Sequence, residues 1–370
     1  MELVFIRNTR GICGSYVNRL VSQPMPQGST LLRAPTYKPS LAWFTALGSA
    51  WVFVLVAMGA FTTSIGAGMI FPDWPLSNGS LNPDGWLSDL AMFAEHSHRL
   101  SAGVMSAITI MIAVWLWRTE SRSWLRRLAY VAVILIFVQA LVGGLRVLLE
   151  HQRVNMIETS VGRLFAMLHA CLAQIFVCTL AAIAAACSRP WLKPQLTANY
   201  QASPGLRRLG VVCCALIVTQ LGIAAVMRHS FAGLAIPTFP QSTADGGWLP
   251  LTWDFRVGIH FSHRIMALIL TAAIMMFATK LLGTAKIARV LKVGSLSLLG
   301  LLALQVYLGA VVVWSGRKPE LTTAHVIVGA IILTTTFLIT WFLHRDAIES
   351  STSTQASPQP RRTSRELSHA

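Results

Sequence analysis

The chain has few charged residues for its length, and acidic residues are especially scarce. Asp, Glu, Lys and Arg make up 12% of the 370 residues, whereas hydrophobic residues make up 54%. This composition excludes an ordinary soluble domain, in which about 25% of the residues are charged. Runs of about 20 apolar residues, long enough to cross a bilayer as a helix, recur along the chain. The sequence therefore predicts an all-α integral membrane protein.

Eight apolar runs predict eight transmembrane helices. The predicted spans are 41–62, 90–117, 128–149, 161–186, 206–227, 257–282, 287–314 and 321–343. Lys and Arg concentrate in the loops after the second, fourth and sixth spans and in both tails, whereas the loop after the first span has only acidic charges. Because cytoplasmic loops carry the excess of Lys and Arg, we expect both termini in the cytoplasm.

The shortage of acidic residues leaves a formal net charge of +16. The basic residues are spread over the inner loops and tails, so membrane topology and attraction to anionic lipid explain them more simply than nucleic acid does. We expect membrane lipid and no nucleic acid as a partner. Residues 1–40 are predicted to form a cytoplasmic tail, and residues 346–370, rich in Ser, Thr, Gln and Pro, a disordered one.

Cysteine is scarce as well, with six residues in the chain. Five lie within the predicted helices or at their inner ends, and Cys13 lies in the inner tail. Since no pair is placed on the oxidising outer face, we expect no structural disulfide. Adjacent Cys213 and Cys214 are interpreted as small packing residues and not as a metal site.

The chain does contain an internal repeat. The sequence Glu-His-Ser-His-Arg at 95–99 returns 165 residues later as His-Phe-Ser-His-Arg at 260–264, and 67–75 matches 232–240 at the same offset. Gln139 and Gly143 match Gln305 and Gly309 at an offset of 166. Because each copy has four spans, both cross the membrane in the same sense, as a parallel repeat. The repeat predicts two pseudo-symmetric four-helix bundles, at 41–190 and 207–345, joined by a linker at 191–206.

Four histidines lie at matching positions of the two copies. His98 and His169 are in the second and fourth spans, and His263 and His325 are in the sixth and eighth, each within about ten residues of the outer end. A histidine inside the membrane is costly unless it is bound to a partner. Two imidazoles at one depth in a four-helix bundle suit the axial ligands of a haem iron.

Other interpretations of these histidines stay open. A hydrogen-bonded core residue or a proton path would also place histidine in a span, while structural zinc is disfavoured because Cys and carboxylate ligands are too few. His96 points about 200° around the helix from His98 and is ranked below it. The remaining histidines are predicted to lie in loops or the tail as bystanders: His151, His229, His344 and His369.

One ionisable position differs between the copies, where Glu95 is replaced by His260. Residues i and i+3 share a helix face, so Glu95 should lie beside the macrocycle that His98 would bind. There it could accept a proton, orient water or stabilise positive charge. The alternative is a simple i+4 ion pair with Arg99. Arg99 and Arg264 could each bind a haem propionate, or be structural cations capped by backbone carbonyls.

These residues resemble those of the haem A synthases of mitochondria and aerobic bacteria. The resemblance is carried by Glu-x-x-His-Arg at 95–99, by the stretch 68–75 that ends in Pro-Asp-Trp-Pro, by Gly79, and by the partner histidines 169, 263 and 325. It covers residues 41–343. Many bacterial members also carry a cysteine pair in the first outer loop, where this chain has Pro-Leu-Ser-Asn at 75–78. Any role of that pair is therefore missing.

The resemblance implies oxidation of the C8 methyl of haem O to a formyl group, by successive hydroxylations and loss of water from a geminal diol. It implies that His98 and His169 hold the substrate haem O, and that His263 and His325 hold a permanent haem B. Glu95 would be catalytic, which agrees with its presence in the first copy alone. The implied partners are haem O and the enzyme that makes it, an unidentified electron acceptor and a second copy of the chain.

Two other functions remain compatible with the same histidines. One is a dihaem b-type protein that passes electrons from a quinol to an outer acceptor, and the other is a proton-coupled transporter. Residues 1–40 lack a convincing targeting leader. The sequence therefore favours a bacterial plasma membrane over a mitochondrial inner membrane.

Overall fold

The computed structural model describes residues 36–154, 159–192, 203–285 and 287–353. In these ranges the chain forms ten helices: α1 (Pro39–Ser64), α2 (Leu90–Thr119), α3 (Ser123–Leu148), α4 (Val161–Cys187), α5 (Arg189–Leu192), α6 (Pro204–His229), α7 (Phe255–Leu282), α8 (Arg289–Trp314), α9 (Pro319–Leu343) and α10 (Arg345–Ser353). Between α3 and α4, β1 (Arg153–Val154) pairs antiparallel with β2 (Thr159–Ser160).

Eight helices, α1–α4 and α6–α9, are long and apolar enough to cross a membrane. The prediction of an all-α, multi-pass membrane protein is thus confirmed. Seven of the eight helices begin and end within two residues of the predicted spans. The exception is α3, which begins at Ser123 and not at 128. Its first turns contain Arg126 and Arg127, which continue the helix beyond its apolar part.

The repeat is visible in the way the helices begin. The Asp89 side chain accepts a hydrogen bond from the backbone N–H of Met92 at the start of α2, and Asp254, 165 residues later, does the same for Val257 in α7. Such caps satisfy backbone groups that the first turn leaves unpaired. In α2 and α7 they also fix how far along the helix the histidine lies. The histidines at 98, 169 and 263 are each the ninth residue of their helix, and His325 is the seventh.

The helices contact one another in the same order in each half of the chain. In the first half, α1 and α3 each contact α2 and α4, and in the second half α6 and α8 each contact α7 and α9. Buried apolar side chains form two clusters, one within α1–α5 and one within α6–α9. The halves meet where α9 contacts α1 and α4, and where α4 contacts α6.

Helix α10 fastens the end of the last span to the first half. Glu349 accepts hydrogen bonds from Trp191 Nε1 at 2.6 Å, from Arg122 Nη1 at 3.2 Å and from Trp124 Nε1 at 3.4 Å. Trp191 is fully buried. The prediction that residues 346–370 are disordered is therefore wrong for 346–353, because buried side chains of the first half hold Glu349 in place.

Parts of the predicted tails and linker lie outside the described residues, namely 1–35, 193–202 and 354–370. Within the predicted linker, the chain continues as α5 to Leu192, and α6 already begins at Pro204. The five cysteines in the described ranges are free thiols, and Cys13 is outside them.

Candidate haem sites

Four histidines project from α2, α4, α7 and α9 at similar depth. At 1.5 Å per residue they lie about 9–12 Å below the first residue of their helix. His98 is close enough to His169 to interact with it electrostatically, and His263 stands in the same relation to His325. The structure thus brings the four predicted ligands together as two pairs, one pair in each half.

Three of the imidazoles pack against glycines of a neighbouring helix. A Cβ atom at Gly59 would lie 2.8 Å from Cε1 of His98, and one at Gly143 would lie 3.1 Å from Cε1 of His169. Gly309 stands in the same relation to His325, at 3.2 Å. These glycines therefore set the position of the rings. The repeated glycine at 143 and 309 has its physical explanation here.

The hydrogen bonds of the first pair leave nitrogen atoms available for a ligand. In the first half, Nδ1 of His169 lies 3.1 Å from the backbone carbonyl of Gln139. This contact orients the ring and leaves Nε2 as the nitrogen that could bind a metal. In metal sites the second ring nitrogen of a histidine usually donates to such a carbonyl. Nδ1 of His98 is buried and has no hydrogen-bond partner among the described residues.

In the second half, glutamine side chains replace some of these contacts. Nε2 of Gln220 lies 3.1 Å from Nδ1 of His263 and donates to the His263 carbonyl at 3.0 Å. Nε2 of Gln305 lies 3.2 Å from Nε2 of His325, whose Nδ1 is buried without a partner in the described chain. Because an unpaired buried nitrogen is costly, these sites fit residues that bind a further group.

The paired histidines fit a haem better than a metal ion bound by protein alone. No group of three or more His, Cys, Asp or Glu side chains is placed to hold a metal ion within the described ranges. Structural and catalytic zinc sites use three or four such ligands. Two imidazoles are enough where a macrocycle supplies the remaining coordination, as in a haem protein.

Glu95 is 4% exposed and lies under the loop between α1 and α2, called the first loop below. Its Oε2 accepts hydrogen bonds from the backbone N–H of Ile70 at 2.7 Å and of Phe71 at 3.2 Å. Its Oε1 accepts one from Nη2 of Arg99 at 2.6 Å. The i+4 ion pair left open as an alternative is therefore present. The two backbone bonds, which periodicity alone does not predict, fasten the loop to α2.

Arg99 fastens the same loop from the other side. Besides Glu95, it donates to the backbone carbonyls of Phe71, Asp73 and Leu76. The guanidinium also lies 5.4 Å from the centre of the Phe71 ring. The contacts of Arg99 therefore match the second role considered for it, that of a structural cation capped by backbone carbonyls.

The second half reproduces this fastening with a different acceptor. Nδ1 of His260 lies 3.2 Å from the backbone nitrogen of Ile236, and its Nε2 lies 3.4 Å from Nε of Arg264. Because a neutral imidazole carries one N–H, only one of these two nitrogens accepts a hydrogen bond. Arg264 donates to the backbone carbonyls of Ile236, Thr238 and Gln241. An imidazole therefore stands in for the Glu95 carboxylate, and no carboxylate pairs with Arg264 in the described ranges.

The first loop has its own internal support. The Asp73 carboxylate accepts the backbone N–H groups of Asn78 and Gly79, each at 2.8 Å. Gly79 has a φ of +73°, which explains the glycine that follows the Pro-Asp-Trp-Pro stretch. Desolvation raises the pKa of Asp73, but the backbone N–H groups of Gly79 and Asn78 together with the charge of Arg99 lower it by more, so that the net shift is downward. Trp74 packs over Gly144 of α3.

The other histidines lie away from the pairs, with one exception. Nδ1 of His96 lies 3.0 Å from Oγ of Ser77, so this ring faces the loop as its angle on the helix predicts. His344 caps α9, and His369 is outside the described residues. His229 was expected in a loop, which is wrong: it is the last residue of α6, because the helix extends two residues past the apolar run, and it lies within electrostatic range of His169.

Sequence reasoning missed Arg146 on α3. It lies within electrostatic range of His98 and His169, and its side chain packs against Gly68 of the first loop. At the offset of 166 its counterpart is Val312, so a search for repeated residues passes over it. The available signal is an arginine within an apolar span, since an ionisable residue there is usually functional.

Residues 42–337 match the family model of COX15-CtaA, described as cytochrome oxidase assembly protein. The chain belongs to this family. The matched range contains both histidine pairs, Glu95 and both loop-fastening arginines. The resemblance suggested by the Glu-x-x-His-Arg sequence and the partner histidines is thereby confirmed at the level of the family.

Individual relatives are bacterial proteins named heme A synthase. The chain is 27% identical to that of Bacillus licheniformis, over 75% of this chain and 86% of the relative. It is 25% identical to that of Halalkalibacterium halodurans, over 83% and 98%, and 23% identical to that of Shewanella oneidensis, over 84% and 99%. The similarity thus extends over nearly the full length of these relatives.

Proposed function

We propose that this chain is a haem A synthase, which oxidises the C8 methyl of haem O to a formyl group. The observation that carries the proposal is the pairing of four helix-borne histidines in two matched sets, with a buried carboxylate, Glu95, beside the first set alone. Membership of the family and the name shared by the bacterial relatives give the reaction.

In this proposal the two halves are four-helix bundles with different tasks, at 41–190 and 207–345. His98 and His169 hold the substrate haem O, and His263 and His325 hold haem B. Haem B would supply one-electron redox chemistry when bound. The order of helix contacts within each half and the two separate apolar clusters support the two-bundle arrangement.

Glu95 acts as a fixed negative charge near the reacting edge of the substrate. Of the three roles open to it, stabilisation of developing positive charge agrees with its contacts, because three donors already hold its two oxygen atoms in place. A group that needs no reorganisation during the reaction is the most effective electrostatic stabiliser. Arg99 and Arg264 keep the outer loops closed over the two sites.

The proposed setting is a bacterial plasma membrane with both termini in the cytoplasm. The bacterial relatives and the eight apolar helices support a multi-pass bacterial membrane protein. Haem O would reach the first half from the enzyme that makes it, and an electron acceptor is required. Assembly with further copies of the chain remains part of the proposal.

Pigment analysis tests the activity directly. The full chain is produced with a source of haem O, purified in detergent, and its haems are extracted and separated. We expect haem A from the wild type, and from Glu95→Gln a bound haem pigment without the formyl group. Glu120→Gln, which changes a buried acid at the opposite end of α2, is the matched control and should still yield haem A. Unchanged haem O from the wild type would overturn the proposal.

A dihaem electron-transfer protein is the second candidate, and one observation favours it. His260 lies against a loop N–H and an arginine at the position equivalent to Glu95, so loop fastening alone accounts for the contacts of the carboxylate. In that case both haems would be recovered chemically unchanged, and Glu95→Gln would leave the pigment as it is in the wild type. The same extraction therefore separates the two functions.

A further inference from the structure

Among the described residues, Arg146 of the first half is a cation without a hydrogen-bond or ion-pair partner. It lies in the last turn of α3 and interacts electrostatically with Glu95 and Glu150. Both of these carboxylates have other partners, since Glu95 is held by Arg99 and Glu150 by Ser160 and Arg163. In the part of the chain that the structure describes, Arg146 itself makes neither a hydrogen bond nor an ion pair.

The guanidinium of Arg146 is nevertheless held in a defined place. A Cβ atom at Gly68 would collide with Nη2 of Arg146 and would lie 3.0 Å from its Cζ. The absence of a side chain at residue 68 is thus what lets the guanidinium pass beneath the loop, towards His98 and His169. These two histidines are the proposed ligand pair of the first half, and both lie within electrostatic range of the Arg146 guanidinium.

The second half places another arginine at the equivalent glycine by a different route. Gly233 lies 165 residues after Gly68, and a Cβ atom there would lie 3.2 Å from Cδ of Arg317. Arg317 comes from the loop between α8 and α9, whereas the α8 residue that matches Arg146 is Val312. Both halves therefore bring a guanidinium under the outer loop, from positions that are unrelated in sequence.

We infer that Arg146 binds a carboxylate of the macrocycle held by His98 and His169. The inference rests on the proposed function, because it needs a haem in the first half. A guanidinium matches a carboxylate with two parallel hydrogen bonds, which orients a planar ligand as well as attracting it. Arg99 is less suited to this task, since its donors are taken by Glu95 and by loop carbonyls.

The test compares iron protoporphyrin IX with its dimethyl ester, which lacks the two carboxylates. Each compound is titrated into the purified full chain in detergent, and binding is followed by the Soret band. The part of the Soret absorbance that is lost in the His98→Ala variant is assigned to porphyrin bound in the first half. There the wild type should bind the free acid about 10- to 100-fold more tightly than the ester, which corresponds to about 1.4–2.8 kcal/mol.

Arg146→Met should abolish this preference, and Arg146→Lys should keep part of it. Arg127→Met, an exposed arginine near the other end of α3, is the matched control and should behave as the wild type. A preference that survives in Arg146→Met would overturn the inference alone. A wild type without a His98-dependent Soret band would overturn the proposed function, and the inference with it.

A stability measurement separates binding from a structural role. An unpaired cation in an apolar region weakens the fold, so porphyrin-free Arg146→Met should unfold at the same or a higher denaturant concentration than the wild type. Substantial destabilisation of the porphyrin-free variant would mean that Arg146 supports the fold, which would contradict the assigned role.

Discussion

Removing the arginine that fastens the loop after the first long helix of each half should lower the free energy of unfolding more in the first half than in the second. Arg99→Met removes three bonds to carbonyls and the bond to Glu95, and it leaves a carboxylate with 5% of its side chain exposed without its cation. Breaking a buried ion pair in this way costs about 3–5 kcal/mol. Arg264→Met leaves only neutral acceptors behind, for which we expect about 2–3 kcal/mol.

The two losses should therefore differ by about 1–2 kcal/mol, and the difference should be traceable to Glu95. In the double variant Arg99→Met with Glu95→Gln no charge is left unpaired, so its loss should be smaller than the sum of the single losses. Unfolding of the purified chain in mixed detergent and SDS micelles measures these energies. The first loop contains acidic residues but no Lys or Arg, so cleavage by an Asp-specific protease reports its detachment.

Equal losses for Arg99→Met and Arg264→Met would refute this reasoning. So would a double variant whose loss equals the sum of the two single losses, because the charge of Glu95 would then play no part in fastening the loop. Arg127→Met serves as the control again, since it removes an exposed arginine that faces neither loop.

Three further outcomes follow from the geometry. Gly59→Ala should displace His98 and weaken haem binding in the first half by Soret titration, whereas Ala224→Gly, at the equivalent position, should leave binding in the second half intact. The lowered pKa of Asp73 means that its contribution to loop stability is present above 3.8 and is lost as the pH falls through the lowered value; tryptophan fluorescence should show this step, and Asp73→Asn should lack it. Glu349→Ala should lower the free energy of unfolding by about 1–3 kcal/mol, because a buried indole N–H loses its acceptor.

The membrane helices are the part of the fold that the sequence predicts best. An apolar run of the right length has one common outcome in a bilayer, so all eight spans are recovered and the ends of seven lie within two residues. The start of α3 and the whole of α10 are missed for one reason. Both contain polar or charged residues whose helical state depends on tertiary contacts, such as those of Glu349 with Trp191 and Arg122.

The candidate site is predictable to the extent that it is repeated. The four histidines and the two arginines are found because they recur between the copies, His98 and Arg99 at an offset of 165 and His169 at an offset of 156. The loop groups that accept hydrogen bonds from Arg99 and Arg264 are backbone carbonyls. Every residue has such a carbonyl, so a pattern of side chains cannot predict which ones are used. Arg146 is missed because the second half uses Arg317, from the loop between α8 and α9, at the equivalent glycine. The two arginines are not at equivalent sequence positions, so only the three-dimensional structure shows that they correspond.

Glu95 and His260 occupy equivalent positions of the two copies, and they differ in charge although each fastens its loop. Either side chain contacts a backbone N–H of its loop and an arginine, so the two loops are fastened alike while the charge at this one position differs by one unit. The double variant Glu95→His with His260→Glu would move that charge from the first half to the second, and both loops should stay fastened.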